Sequence, residues 1–205
     1  MIMMGGVARR AIAGLALCTA AGAVALGAAA ALSPQDSVRM QQKLALIVAN
    51  AHAAGTARTR TEITEIEINS YLRYGLADAM PVGVTDPSVV IEGRGRLSGR
   101  AVVDLSRAAK ENGSGGLFDP LTYLTGRLPV EASGVLHATG GAGTFELESA
   151  SVSGVPIPKL VLQEILTAYS RSASRPDGLN IDAPFTLPAG IREIEMKPGQ
   201  AVIVQ

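Results

Sequence analysis

The chain of 205 residues contains no tryptophan, and its other aromatic residues are only four tyrosines and three phenylalanines. A core built from this chain must therefore be mainly aliphatic. The single cysteine, Cys18, lies near the N-terminus, so the rest of the chain forms no disulfide and depends on burial of apolar surface for its stability. The two histidines, His52 and His137, are isolated, which excludes zinc sites built from several Cys and His ligands. We therefore expect no metal and no other cofactor.

Arg9 and Arg10 are followed by an apolar run, Ala11 to Ala31, that contains no charged residue. A positive edge, an apolar stretch and small residues at its end are typical of an export signal. We predict that residues 1–32 form a signal peptide that is cleaved near Ala29–Ala31. The alternative is a retained N-terminal anchor, because about twenty apolar residues can span a bilayer. In both cases we expect the protein to be exported to the periplasm or cell envelope of a bacterium.

The charge balance of the remaining chain argues against nucleic acid as a partner. Two of the 18 basic residues, Arg9 and Arg10, belong to the N-terminal segment, which leaves 16 basic residues against 18 acidic ones. The remaining chain is therefore slightly negative, whereas nucleic-acid-binding proteins typically have an excess of basic residues. The remaining residues, about 174, suffice for one domain with its own core.

A lead helix is predicted over residues 33–55. Ser33 and Pro34 suit the N-cap and the first helical position. Apolar residues then recur at helical spacing, at Met40, Leu44, Ile47, Val48 and Ala51. Gly55 can end the helix. We expect this helix to pack on the single α+β domain predicted for residues 56–205, or to link that domain to the membrane.

A capping box predicts the start of a second helix. Thr64 and Glu67 stand three residues apart, so each side chain can accept a hydrogen bond from the backbone amide of the other. Ile63 and Ile68 occupy the positions of a hydrophobic staple. The helix is predicted to run from Glu65 to about Ala79.

Most of the remaining chain follows the period-two pattern of strands. Pairs of predicted strands cover residues 89–92 and 97–105, 128–139 and 144–152, and 191–196 and 201–205. A helix between the second and third pair has its apolar residues at Leu162, Ile165, Leu166 and Tyr169. Strands joined by short hairpins pair antiparallel, and helices outside that run pack on one face of the sheet. The predicted fold class is therefore α+β.

The catalytic motifs that we sought are absent from the sequence. It contains neither G-x-S-x-G nor S-x-x-K, and Gly93, Gly95 and Gly99 lack the spacing of a dinucleotide fingerprint. His137 is predicted to face Glu146 across a hairpin. This arrangement would form an acid–base pair, a metal site or, as we favour, a cross-strand pair on a wetted face. We predict that the protein is not an enzyme, with a hydrolase of unrecognised type as a further alternative.

Two surface features suit contact with lipid. Arg94, Arg96 and Arg100 lie in a stretch with an excess of basic residues, which fits anionic lipid headgroups. The alternative is a solvated strand edge whose charges oppose aggregation. Leu117 and Phe118 follow a glycine-rich loop, where they can contact a membrane, close a cavity or fold back onto the core.

The segment Ile63-Thr64-Glu65-Ile66-Glu67-Ile68-Asn69 resembles the helix start of small envelope proteins of the LmeA-like phospholipid-binding kind. The later order is similar too, with a basic hairpin, a Gly-Val-Pro-x-Pro entry at Gly154 to Pro158, a helix, and a turn at Leu187 to Ile191. The resemblance covers about Ile63 to Gln205 and leaves out the lead helix. It implies half of a tubular lipid-binding module, in which a curved antiparallel sheet wraps on a long helix with an aliphatic groove between them.

We therefore expect a non-enzymatic exported protein that binds lipid or another long apolar ligand in the cell envelope. The candidate ligand contacts are Leu72, Leu76, Leu117, Phe118, Leu162, Leu166 and Tyr169, and the candidate headgroup contacts are Arg94, Arg96 and Arg100. An ordinary closed core has the same aliphatic composition, so composition does not distinguish the two. The alternative function is a structural or assembly protein that docks another envelope protein through its sheet edge or basic hairpin.

Overall fold

Two antiparallel sheets and three α-helices make up the part of the chain that the computed structural model describes, residues 31–52, 58–104, 126–170 and 176–205. In chain order the elements are α1 Pro34–His52, β1 Arg60–Thr64, α2 Glu65–Ser70, β2 Val84–Gly93, β3 Arg96–Asp104, β4 Arg127–Thr139, β5 Ala142–Val152, β6 Val155–Pro156, α3 Lys159–Ser170, β7 Phe185–Thr186, β8 Glu193–Lys197 and β9 Gln200–Val204. The predicted signal peptide, apart from its last two residues, lies outside the described residues.

The strands form a small sheet and a large sheet. The small sheet has the order β1–β9–β8, and the large sheet has the order β2–β3–β4–β5–β6, with β7 paired to β5. All of these pairs are antiparallel. The predicted α+β class and the predicted hairpins are confirmed.

The helix α1 begins where the sequence predicts and packs into the core. The amide of Asp36 donates a hydrogen bond to Ser33 Oγ over 3.1 Å, which makes Ser33 the N-cap. The side chains of Met40 and Ile47 are buried in the main core cluster. Val48, however, is 52% exposed, so the apolar stripe predicted for this helix is narrower than expected.

The predicted capping box begins α2. The amide of Glu67 donates to Thr64 Oγ1 over 3.3 Å, and the amide of Thr64 donates to Glu67 Oε2 over 2.8 Å. The α-helix ends at Ser70 and continues as a π-helical turn, Tyr71–Gly75, and a 3-10 turn, Ala77–Ala79. The predicted end near Ala79 is therefore right for the whole helical segment, although its second half is not α-helical.

Polar side chains of α2 attach the helix to the free edge of β2. Asn69 donates from Nδ2 to the carbonyl of Val89 over 2.8 Å and accepts from the amide of the same residue over 2.7 Å. One turn earlier, Glu65 accepts from the amide of Ile91 over 2.8 Å. Because β2 is the edge strand of the large sheet, these bonds satisfy backbone groups that no neighbouring strand reaches.

A two-residue turn joins β4 to β5 and sets the register of this hairpin. Gly140 and Gly141 have φ angles of 63° and 82°, the conformation of a type I′ turn. Thr139 therefore pairs with Ala142, and His137 pairs with Thr144. The predicted register, with His137 directly opposite Glu146, is wrong because the turn is two residues shorter than the glycine run suggested.

The core lies where α1, the small sheet and the turn end of the large sheet meet. Its buried members are Met40, Ile47, Ile63, Ala138, Leu187, Ile191 and Ile203. All of them are aliphatic or Met, as the lack of aromatic residues in the sequence requires. Among the described helices, none combines the length and the apolar composition that crossing a membrane needs.

Candidate functional site

Strand register sorts the side chains of the large sheet into two chemically different faces. Successive residues of a strand point to opposite faces, and residues paired across strands share a face. Leu97 of β3 thus lies between Ile91 of β2 and Gly134 of β4. The next residue, Ser98, points to the opposite face and pairs with Ser133.

One face, which we call the apolar face, carries no polar side chain among its paired residues in the described strands. Its members are Val84, Val89, Ile91, Leu97, Gly99, Ala101, Val103, Leu128, Val130, Ala132, Gly134, Leu136, Ala138, Gly143, Phe145, Leu147, Ala150, Val152, Val155 and Phe185. The opposite face, which we call the polar face, is mainly hydrophilic. One row across four of its strands reads Ser88, Arg100, Glu131 and Ser151.

The apolar face is closed at one end and only half covered toward the other. Near the β4–β5 turn, Ala138 belongs to the core. On the edge strand β2, Ile91 is 4% exposed. Toward the far end, Val103 and Val130 are only half-buried, and Val155 of β6 is 66% exposed. This face offers aliphatic surface beyond what the core uses.

The helix α3 packs against β5, near one edge of the large sheet. Two of the predicted contact residues on it, Leu162 and Leu166, are half-buried, whereas Leu160 is 71% exposed. Gln163 fastens the following segment to the helix, because its side chain donates to the carbonyl of Leu179 and accepts from the amide of Ile181, each over 2.8 Å. The side chain of Tyr169 lies outside the described residues.

None of the remaining predicted ligand contacts is placed beside α3 in the described part of the chain. Leu72 lies in the π-helical turn and Leu76 directly follows it, and both are half-buried. That turn contacts α1 and β2, so these two leucines lie near the edge of the large sheet opposite α3. Leu117 and Phe118 lie between β3 and β4, outside the described residues.

The three predicted headgroup contacts lie at the β2–β3 turn and on the polar face. Arg94 is in the turn, with a φ of 56°. Arg96 makes an ion pair with Glu148 over 2.7 Å, and Arg100 makes one with Glu131 over 3.4 Å. The acidic partners neutralise much of the positive charge that the sequence concentrates in this stretch.

The histidines form no catalytic arrangement with the described residues. His137 Nε2 lies 3.8 Å from Glu146 Oε2, and both side chains are exposed on the polar face. His52 Nδ1 contacts the carbonyl of Val48 over 2.8 Å at the end of α1. Within the described ranges, no three side chains of the His, Cys, Asp and Glu types are grouped closely enough to hold a metal ion.

The fold and its surface define an α+β protein whose large sheet is amphipathic from edge to edge. Its apolar face was the feature that sequence reasoning missed, although the alternating pattern of β3 and β4 carried the signal. Family models and curated proteins gave no match to this chain when they were compared with it.

Proposed function

We propose that this protein binds a lipid, or another long apolar ligand, in the cell envelope and catalyses no reaction. The apolar face of the large sheet carries this proposal. Its aliphatic side chains extend from the core toward Val103, Val130 and Val152, where they are only half-buried. Acyl chains bind to concave or flat aliphatic surfaces because the contact removes apolar area from water.

The lack of polar side chains among the paired residues of this face in the described strands fits a long apolar ligand better than a small polar substrate. A polar ligand needs hydrogen-bonding partners when it leaves water, and the paired residues of the apolar face offer no polar side chain. The half-buried residues Leu162 and Leu166 of α3 extend the aliphatic surface beside β5. The resemblance to phospholipid-binding envelope proteins agrees with the same ligand class.

Co-purification tests the proposal directly. The protein is exported in a bacterial host, purified without detergent and extracted for mass spectrometry of lipids. We expect a stoichiometric lipid in the extract and saturable binding of a fluorescent fatty acid, cis-parinaric acid. An extract without lipid, together with no saturable fatty-acid binding, would contradict the proposal.

A matched pair of double variants locates the ligand on the apolar face. Val103→Thr/Val130→Thr changes this face, whereas Val102→Thr/Val135→Thr makes the same changes on the same two strands but on the polar face. A hydroxyl buried without a partner costs about 1–3 kcal/mol. We therefore expect the first variant to weaken fatty-acid binding at least about tenfold and the second to change it little. Thermal unfolding of both variants checks that each is folded, and equal affinities would count against the proposed site.

A second candidate function, a structural or assembly protein of the envelope, is supported by exposed apolar side chains around α3. Leu160 and Val155 are 71% and 66% exposed, and Val161 is exposed as well. Apolar side chains exposed together are typical of protein–protein contact sites. If this second function is right, Leu160→Ser should abolish chemical cross-linking to an envelope partner and leave fatty-acid binding as in the wild type. If the first function alone is right, Leu160→Ser should leave the cross-linking pattern of the wild type unchanged.

A further inference from the structure

A shallow depression of about 530 Å³ lies at the turn end of the large sheet, far from the half-buried part of the apolar face. It is lined by Arg58, Gly140, Gly141, Thr186, Leu187, Gly190, Ile191, Arg192 and Glu193. Leu187 and Ile191 belong to the core, so the floor of the depression rests on the core. The two arginines come from distant parts of the chain, one before β1 and one before β8.

The arginines of this depression differ from most others in the described chain because they lack acidic partners there. Ion pairs join Arg39 to Asp36, Arg60 to Glu195, Arg96 to Glu148, Arg100 to Glu131 and Arg127 to Asp86. Among the described residues, no carboxylate lies within ion-pair distance of Arg58 or Arg192. Glu193 lines the same depression but pairs with neither of them. The lining residues of the depression therefore carry a net positive charge, from two arginines that have no acidic partner among the described residues.

Two tight turns contribute glycine residues to the lining of the depression. Gly140 belongs to the β4–β5 turn, and Gly190 follows Ala189 in a second turn, which the bond from the Ile191 amide to the Pro188 carbonyl closes over 3.0 Å. None of the described residues accepts a hydrogen bond from the amides of Gly140 and Gly190. Since glycine has no side chain, a ligand can approach the backbone closely at both turns.

From this combination we infer that the depression binds a phosphate group, through the guanidinium groups of Arg58 and Arg192 and the nearby glycine backbone. Guanidinium groups bind phosphate oxygens through paired, charge-assisted hydrogen bonds, and free backbone amides complete such sites. The same group occurs in an anionic phospholipid headgroup and in a soluble phosphate ester. The inference does not rest on the proposed function, because the depression and the half-buried aliphatic residues lie at opposite ends of β4 and β5.

Binding of inorganic phosphate and of vesicles tests the site in two separate arms. The first arm is calorimetric titration of the full chain with inorganic phosphate. The second is co-sedimentation with vesicles of phosphatidylcholine alone and of phosphatidylcholine mixed with phosphatidylglycerol. The variant is Arg58→Gln/Arg192→Gln, and the control is Arg39→Gln/Arg127→Gln, which removes the same charge from two exposed arginines outside the depression.

We expect the Arg58→Gln/Arg192→Gln variant to weaken phosphate binding at least about tenfold, while the control retains it. Loss in the phosphate arm identifies a soluble phosphate compound as a ligand. The lipid headgroup is identified as the ligand if the variant keeps its affinity for inorganic phosphate but no longer binds vesicles that contain phosphatidylglycerol more strongly than vesicles of phosphatidylcholine alone. The inference is overturned if the wild type binds in neither arm, or if the variant binds as the wild type does. Fatty-acid binding is measured alongside, and its failure would affect the proposed function alone.

Discussion

At the scale of single residues, the polar side chains around α2 connect the helix to three other elements. Glu67 is only 4% exposed and receives hydrogen bonds from the Thr64 amide and from Lys43 Nζ of α1 over 2.7 to 2.8 Å. Asn69 binds β2. The fully buried Ser70 accepts a bond from the Ser33 amide over 3.2 Å. The segment from Thr64 to Ser70 therefore has a structural role in this protein.

The carboxylate of Glu67 should make stability depend on pH. Burial acts to raise its pKa, but the hydrogen bonds from Lys43 and Thr64 outweigh burial and lower the pKa from its usual 4.5. A group with a lowered pKa in the folded state stabilises the protein above its unfolded-state pKa, and this contribution is lost as the pH falls through the folded-state pKa. We expect Glu67→Gln to cost about 1–2 kcal/mol at neutral pH and less and less below about pH 4.5.

Urea unfolding at several pH values measures this effect. Glu62→Gln is the matched control, because Glu62 lies on the neighbouring strand β1 with its side chain exposed. A stability difference between wild type and Glu67→Gln that stays constant down to pH 3 would contradict the prediction.

The amide of Asn69 provides a second prediction at this scale. Its replacement by Ala leaves the amide and the carbonyl of Val89 without their partners at the edge of the sheet. We expect a loss of about 2–4 kcal/mol in the free energy of unfolding. Asn50→Ala serves as the control and should cost less than about 1 kcal/mol, since the bonds of the Asn50 side chain to described residues go to the side chains of Thr59 and Gln205. Equal losses in the two variants would contradict the prediction, because the bonds of Asn69 to the sheet edge would then contribute no more to stability than those of Asn50.

At the scale of elements, the large sheet depends on glycines at positions where aromatic rings need space. A Cβ atom at Gly134 would lie 2.3 Å from the Glu146 carbonyl oxygen and 2.6 Å from the ring of Phe145. A Cβ atom at Gly143 would likewise lie 2.5 Å from the ring of Phe185. Periodicity predicted these strands correctly, but it cannot predict such contacts because they depend on which residues are paired across strands.

A pair of glycine variants tests this arrangement. Gly134 and Gly99 both lie on the apolar face in adjacent strands, but a Cβ atom at Gly99 would have its nearest neighbour at 3.9 Å. Overpacking typically costs about 1–3 kcal/mol. We therefore expect Gly134→Ala to lower the free energy of unfolding by that amount. Gly99→Ala should leave it within about 0.5 kcal/mol of wild type, because the smaller chain entropy of Ala in the unfolded state offsets minor strain. Comparable losses would contradict this packing.

At the scale of the whole molecule, α1 is part of the core of the domain. Met40 and Ile47 pack in one cluster with Ile63 and Ile203 of the small sheet. Lys43 reaches the buried carboxylate of Glu67. The sequence predicted the helix but left open whether it packs on the domain or connects it to a membrane, and the packing of the described residues favours the first.

Two truncations test how much of the chain the fold needs. A chain that starts at residue 32 retains the Ser33 cap and all of α1, so we expect it to unfold cooperatively with an unchanged midpoint. A chain that starts at residue 56 lacks α1 and exposes the apolar residues beneath it. We expect that chain to lose cooperative thermal unfolding, as followed by circular dichroism. Cooperative unfolding of the shorter chain would mean that α1 is dispensable.

By itself, the sequence determined the features that depend on neighbouring residues: the caps of α1 and α2, the period of the strands, the α+β class and the aliphatic nature of the core. Only the tertiary structure decided which residues meet. It paired Arg96 and Arg100 with acidic side chains, shortened the β4–β5 turn, gathered the aliphatic side chains of neighbouring strands into one face, and brought Arg58 and Arg192 to one depression. The reason is physical, because caps and periodicity arise from local backbone geometry, whereas register and long-range charge pairing depend on contacts between distant parts of the chain.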